Sequence, residues 1–454
     1  MKKPYESPVI LKTRMAISDR AVNSLHHSQT VRSTIDDIAV NKLTDDYGSP
    51  LFVFSEKTMR QRYRDIYMAF STRYPAVTFG WSYKTNYLSA ICSILHQEGA
   101  LAEVVSDMEY DKARALGVPG ENIIYNGPNK SVHSLRKAIA DGASINVDHL
   151  DEIYDISKVA DSMGRKVKIG LRLNLDAGIH PQWFRFGFNL ESGQAMDAVE
   201  LISKTGSLIV NSLHCHLGTY IMDPNAYVIA VQKMLSFAYE VEDSIFGFKI
   251  ESIDIGGGLP SKSKLKGTYH GPDIVVPSID EYAEKITTAI YTHKRDGNTP
   301  RLILECGRAI IDETGYLIVS VVASKRLPDG RKAYVVDGGI NLLYTSFWYK
   351  YNIELTRQVG GLNEESVIYG PLCMNIDVIE DNAFFPSIDR GERIVISPVG
   401  AYNVSQWMQF IEYRPNIVLI AMDGSVDVVR EAENLTDIQS REIIPERLLA
   451  RPKI

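Results

Sequence analysis

Eight short apolar runs recur between residues 77 and 304, and seven segments of helical length lie between them. No other feature constrains the fold as much. The runs are Val77 to Tyr83, Leu101 to Val105, Ile123 to Tyr125, Ser144 to Val147, Val167 to Leu173, Ile209 to His216, Ile253 to Ile255 and Leu302 to Leu304. The amphipathic segments are Tyr87 to Glu98, Met108 to Leu116, Val132 to Ala140, Leu150 to Met163, Ala195 to Lys204, Ala226 to Val241 and Ile279 to His293. Strands joined by helices pair in parallel, and eight such units over this length predict a closed (β/α)8 TIM-like barrel.

The pattern changes after residue 312. Helical spacing gives way to alternating stretches punctuated by turn signals at Pro328-Asp329-Gly330 and Asp423-Gly424. Tyr316 to Ala323, Lys332 to Val336, Val367 to Tyr369, Arg393 to Ile396 and Ile417 to Met422 read as antiparallel strands of a C-terminal β-sandwich or β-barrel domain. Residues 1–50 are polar and fit a β-rich or poorly ordered lead-in, with Thr34-Ile35-Asp36-Asp37 as a candidate helix start, and are expected to pack with that domain. The predicted division is 1–50, 51–312 and 313–454.

The 454 residues are 45% hydrophobic, ample for two cores, and the net charge of −7 is spread along the chain. No basic block argues for nucleic acid, and no apolar run approaches the roughly 20 residues that cross a bilayer. Met1 to Glu6 are not followed by an apolar stretch, so no secretory signal is expected. The four cysteines (Cys92, Cys215, Cys306 and Cys373) lack ligand spacing and read as free thiols of a cytoplasmic protein.

In a barrel of this kind the chemistry sits at the C-terminal ends of the strands. Lys84 follows the first run, where a lysine is either a solvated end or a nucleophile. The sixth ends in His214-Cys215-His216-Leu217-Gly218-Thr219. Histidines two apart on a strand face the same way, which suits a buried histidine, a metal pair or a ring set against a flat cofactor. No third ligand is visible nearby in sequence, and no metal is expected. Gly256-Gly257-Gly258 after the seventh run presents successive amides, either as a plain loop or as an anion cradle in the barrel's usual phosphate position. Glu305-Cys306-Gly307-Arg308 ends the eighth, with a carboxylate suited to a salt bridge or a ring nitrogen and an arginine suited to a phosphate or carboxylate. Cys373 and Tyr402 lie on turns of the β domain, as core residues or as a proton donor and a phosphate partner. A strand-end lysine with glycines, a stacking histidine and a carboxylate is what pyridoxal 5′-phosphate requires.

In order and spacing these motifs resemble the fold-type III pyridoxal-phosphate decarboxylases, the family of diaminopimelate, ornithine and arginine decarboxylases, from about Thr34 to about Leu448. The resemblance implies that Lys84 is the Schiff-base lysine, His216 the stacking histidine, and Gly256, Gly257 and Gly258 the phosphate glycines. It makes Glu305 the pyridine-nitrogen partner, within a motif closed by Gly307 and Arg308, and Tyr402 a phosphate neighbour beside Thr219. It further implies a homodimer with shared sites, in which Cys373 reaches the partner's cavity. Lys84, His216 and Cys373 would then be catalytic, and Arg308, Thr345, Tyr349 and Met374 would meet the amino-acid substrate.

Three positions depart from the family pattern. Met374 stands where diaminopimelate decarboxylases have Glu and ornithine decarboxylases Asp. Thr345-Ser346 stands where the former carry Arg-Pro, and Arg185 replaces a lysine before Phe186-Gly187. A substrate's buried charge without a partner costs several kcal/mol. The departures therefore predict an amino acid with a modified distal end, as in siderophore or antibiotic pathways, with Trp348, Tyr349 and Tyr351 as pocket wall or β-domain core. Diaminopimelate decarboxylation, amino-acid racemisation and a non-catalytic pyridoxal-phosphate-binding role are the alternatives.

Overall fold

The apolar runs pair as their spacing requires. In the computed structural model, which describes residues 30–179, 182–268 and 271–449, eight parallel strands close into a barrel. They are Val77–Ser82, Leu101–Val104, Ile123–Tyr125, Ser144–Val147, Val167–Asn174, Leu208–Cys215, Ser252–Asp254 and Arg301–Cys306. Each pairs with the next, and the eighth pairs with the first through Glu305 opposite Gly80. Seven helices match the amphipathic segments to within a few residues, from Ser89–Gln97 to Ile279–His293. Serines at 106, 131 and 278 accept backbone N–H groups three residues on and fix three of the helix starts.

The last strand is followed only by a short α-turn, Arg308–Ile311, and a 3₁₀ turn, Asp312–Thr314, so the outer ring needs another helix. Glu56–Ser71 supplies it from before the first strand. Its buried face of Met59, Tyr63, Ile66 and Phe70 recurs at helical spacing, and it packs against Ile279–His293.

The main sheet of the β domain has nine strands among the described residues. Its spine is Gly315–Arg326, which pairs with Lys332–Val336, Arg393–Ser397 and Leu51–Ser55. The strand Leu51–Ser55 therefore lies in the β domain's sheet, and the barrel unit begins at residue 56 rather than 51. The sheet is not wholly antiparallel, because Leu51–Ser55 runs parallel to Ile417–Ile420, and Lys332–Val336 to Asn363–Tyr369. Thr34-Ile35-Asp36-Asp37 is a hairpin rather than a helix start. Asp36 and Asp37 take left-handed φ of 45° and 66°, a turn that short polar side chains tolerate, and the helix begins at Val40. Residues 1–29 of the polar lead-in, with the Met1 to Glu6 reading, lie outside the described residues. Among those described, no helix is long and apolar enough to cross a membrane.

Candidate active site

Lys84, His216, Thr219, Glu305, Arg308, Thr345, Tyr349 and Tyr402 surround one cavity of about 610 Å³ at the barrel mouth. They come from the first, sixth and eighth strand ends and from the β domain. The barrel and β domain are stitched together here, because Lys264–Leu265, beyond the seventh strand, pairs with Tyr349–Lys350. Gly257, Gly258 and Gly307 line a narrow recess of about 20 Å³ beside it, shared with Thr219 and Tyr402. The larger cavity, about 730 Å³, lies away from these groups beside Arg73 and Asp280, which pair with each other at 2.9 Å.

Lys84 Nζ lies 2.5 Å from Glu103 Oε2 at the cavity floor. Burial opposes its charge, but Glu103 and Glu305 outweigh burial and hold the ammonium above the ordinary lysine value. Glu103 is fully buried and projects from the second strand. Asn126, just past the third strand, donates to both Glu103, at 3.0 Å, and Glu305. Asn146 on the fourth orients it, donating to Asn126 Oδ1 at 2.8 Å. Gly170 on the fifth makes the room, because a Cβ there would run into Asn146 Oδ1.

Glu305 is buried, which disfavours its charge, yet His214 and Lys84 hold its carboxyl below the ordinary range. His216 is driven down to about 3, first by burial and then by Lys84 and Arg172. Its Nδ1 accepts the N–H of Gly257 at 3.1 Å, so the neutral ring is held in place at the cavity wall. Trp183 packs beside it at 5.5 Å between ring centroids.

The glycine loop has no room for side chains. A Cβ on Gly256 would lie 2.7 Å from Cys215 O and His216 Nδ1, one on Gly258 2.5 Å from Gly218 O, and one on Gly257 would strike the Glu305 carbonyl oxygen. This cradle, a flat neutral histidine, a buried lysine and a buried ionised carboxylate together fit pyridoxal 5′-phosphate. Gly256 itself backs the recess rather than lining it, with its N–H on Asp254 at 2.9 Å.

Arg308 is 8% exposed and already partnered. Its guanidinium lies 4.3 Å from the Tyr349 ring and 5.2 Å from Tyr402, and Nη1 donates to Asp312 at 3.1 Å. Tyr351 is buried in the core and bonds Thr345 Oγ1 at 2.9 Å through its hydroxyl, whereas Trp348 and Tyr349 line the cavity. Cys373 is exposed and Met374 half-buried, and neither reaches this chain's own cavity. Their loop is pinned by Asp377, which accepts the N–H groups of Ile340 and Leu372, each at 2.8 Å.

Sequence reasoning overlooked Glu103, Asn126, Arg172 and Trp183. The first three had a signal: a charged or amide side chain within or just beyond an apolar strand, at the end where the chemistry lies. His214 has close titratable neighbours that its sequence surroundings conceal, because Asp254 and Glu305 come from the next two strands.

Glu109 shapes the pH response of this region. Burial, and then Glu103, push its carboxyl up to about 7 from 4.5. Between those values the folded protein keeps a proton that the unfolded chain has released, so stability falls as pH rises through that window. E109Q is expected to flatten the fall in urea midpoint between pH 4.5 and 7. Equal slopes in the two proteins would refute this.

The family model of the pyridoxal-dependent decarboxylase, pyridoxal binding domain, matches residues 58–312. The chain is 31% identical over 423 residues to a diaminopimelate decarboxylase of Methanothermobacter thermautotrophicus, covering 90% of this chain and 95% of that one. It is 29% identical over 434 residues to the diaminopimelate decarboxylase of Methanocaldococcus jannaschii, covering 92% and 96%. A crystal structure of the M. jannaschii protein superposes with a TM-score of 0.84 at 27% identity, over 92% of this chain and 98% of that one.

Proposed function

The chain belongs to the pyridoxal-dependent decarboxylases, carboxy-lyases that work on amino acids with pyridoxal 5′-phosphate, and from that premise we propose that it decarboxylates diaminopimelate or an amino acid of that type. The observation that carries this reading is Lys84, set between Glu103 and Glu305 on the floor of the cavity that His216 walls. Support for the substrate comes from relatives named diaminopimelate decarboxylases along nearly their whole length. Their names do not support the siderophore or antibiotic assignment.

When bound, pyridoxal 5′-phosphate supplies an aldehyde for an amine and a ring that draws electrons from the substrate's Cα. Lys84 Nζ is the amine, and Glu103 Oε2 is placed to take the proton it must release. Glu305 would hold a proton on the ring nitrogen, and His216 would cover one ring face and keep water from it. Amides of Gly258 and Gly307, with the hydroxyls of Thr219 and Tyr402, would hold the phosphate, while the Gly257 N–H is kept by His216.

A second reading, an amino acid whose far end is acylated or otherwise neutral, has its own support. The outer wall is Trp183, Phe186, Leu265, Trp348 and Tyr349, and Arg172, which also lines the cavity, is spent on Asp148 at 3.0 Å. Carbon dioxide release over a panel of free and distally acylated diamino acids separates the two. Preference for meso-diaminopimelate supports the first reading, and preference for an acylated compound supports the second. No release from any amino acid with the cofactor bound would sink both.

The site is proposed to be completed by a second copy. Exposed Cys373 is held on a rigid loop, and the apolar side chains of Phe347, Trp348 and Ile376 stand about half exposed. Cys373 Sγ of one copy would return a proton to Cα in the other. C373A is expected to lower kcat by roughly 10²-fold, within the range of one general acid. Mixed with inactive K84A under exchange conditions, it should regain up to about a quarter of wild-type activity, since one heterodimer site keeps both residues. No regain from the mixture, with exchange verified, would refute the shared site.

A further inference from the structure

Behind the cavity floor three titratable side chains are sealed inside the barrel together. His214, Asp254 and Glu305 are each at most 3% exposed and bring ligand atoms within 4.8 Å of one another. They come from consecutive strands, with His214 directly opposite Asp254 in the parallel ladder. Glu305 Oε1 takes an N–H from Asn126 and lies 3.5 Å from His214 Nε2. Yet neither ring nitrogen of His214 has a hydrogen-bond partner, and Asp254 is satisfied only at Oδ1, by the Gly256 N–H at 2.9 Å. Three unpaired polar atoms at such depth require a reason.

A cation bound by all three groups would have to displace Asn126 from Glu305 Oε1, which makes a metal a poor occupant. Charge gives a better account. Around the cluster stand Glu103, Lys84, Arg172 and neutral His216. Glu103 and Glu305 face a single lysine, so a third carboxylate within 4.8 Å of Glu305 would lack a counter-charge. Burial and Glu305 together lift Asp254 well above its ordinary range.

We infer that His214 and Asp254 are positioning residues for Glu305: Asp254 is the neutral partner, with its proton on Oδ2, and His214 directs an N–H at Oε1, so that the carboxylate stays ionised and oriented toward the cofactor's ring nitrogen. The inference rests on the cofactor, not on the choice of amino acid.

The test uses the intact enzyme loaded with pyridoxal 5′-phosphate labelled with ¹⁵N in the ring. Its nitrogen resonance and the pH titration of its visible band are followed, with cofactor affinity measured alongside. H214A is expected to move the resonance toward that of an unprotonated ring and to weaken cofactor binding by about 10-fold, in the range of residues that orient a ligand's direct partners. H214Q keeps an N–H and should restore most of both. D254N replaces a neutral acid by a neutral amide and should leave the resonance where it is in the wild type. A wild-type signal in H214A would overturn the proposal, and so would a shifted signal in D254N. If H214A does not fold, the other two variants decide: both must resemble the wild type, and a departure by either overturns it. Substrate turnover is not needed for these readouts, so the inference can fail while the decarboxylase reading stands.

Discussion

K84A is expected to abolish the visible band that borohydride bleaches and to lower kcat by at least about 10³-fold, because nucleophile and proton carrier are lost at one atom. Two effects are merged in that variant. Besides the amine, it removes the cation beside Glu103, a carboxylate with no exposure of its own. Leaving a buried charge unpaired costs several kcal/mol unless the group takes up a proton. K84A should therefore also lose stability, read as a lower urea midpoint. K84R separates the two effects. It keeps a positive charge beside Glu103 but has no amine able to react with an aldehyde, so it should be equally inactive and close to wild type in urea. Measurable carbon dioxide release from K84A above about one thousandth of the wild-type rate would sink the assignment of Lys84.

The largest stability effect is expected at Asp312, a residue with no direct part in the chemistry. Its Oδ2 accepts from Arg308 Nη1 at 3.1 Å and from the hydroxyls of Ser261 at 2.6 Å and Ser263 at 2.5 Å, and its Oδ1 accepts the Ala401 N–H at 3.3 Å. These donors come from the seventh and eighth strand ends and from the turn that carries Tyr402, so one carboxylate ties three parts of the cavity wall. D312A leaves the guanidinium of Arg308 buried between two tyrosine rings without its anion. Breaking a buried pair from one side costs about 3–5 kcal/mol, to be read as a lower urea midpoint at unchanged slope. Cofactor affinity should fall with it, since Tyr402 depends on that turn. Adding R308M to D312A should recover part of the stability, because it removes the charge that was left stranded. A loss below about 1 kcal/mol, or strict additivity of the two changes, would show that the pair is not the joint described here.

The sequence exposed the barrel strands because their signal is local. A buried parallel strand must be apolar on both faces, and the helix between strands must carry one apolar stripe, so the alternation is written residue by residue. The helix Glu56–Ser71 obeyed the same rule, but its arginines at 60, 62 and 64 diluted the stripe, and it precedes the first strand instead of following the eighth. The hairpin at Asp36-Asp37 was misread because aspartate suits both a helix N-cap and a left-handed turn. Only its pairing of Thr34 with Ala39 decided between them. Parallel pairing within the β domain was equally out of reach, since alternation shows which face of a strand is buried and nothing about the direction of its neighbour.

The same division runs through the active site. The residues alone determined the cofactor class, because the lysine, the histidine, the three glycines and the glutamate each stand at a strand's C-terminal end, and a closed barrel brings all such ends to one mouth. The partners of those residues were decided only by the tertiary structure. Glu103 meets Lys84 across 19 positions, Asn126 meets Glu305 across 179, and Arg308 stacks on rings from a different domain. Such contacts arise when the eighth strand closes on the first and the β domain seals the opening. No local pattern records them, because hydrogen-bond reach is a few ångströms in space and takes no account of distance along the chain.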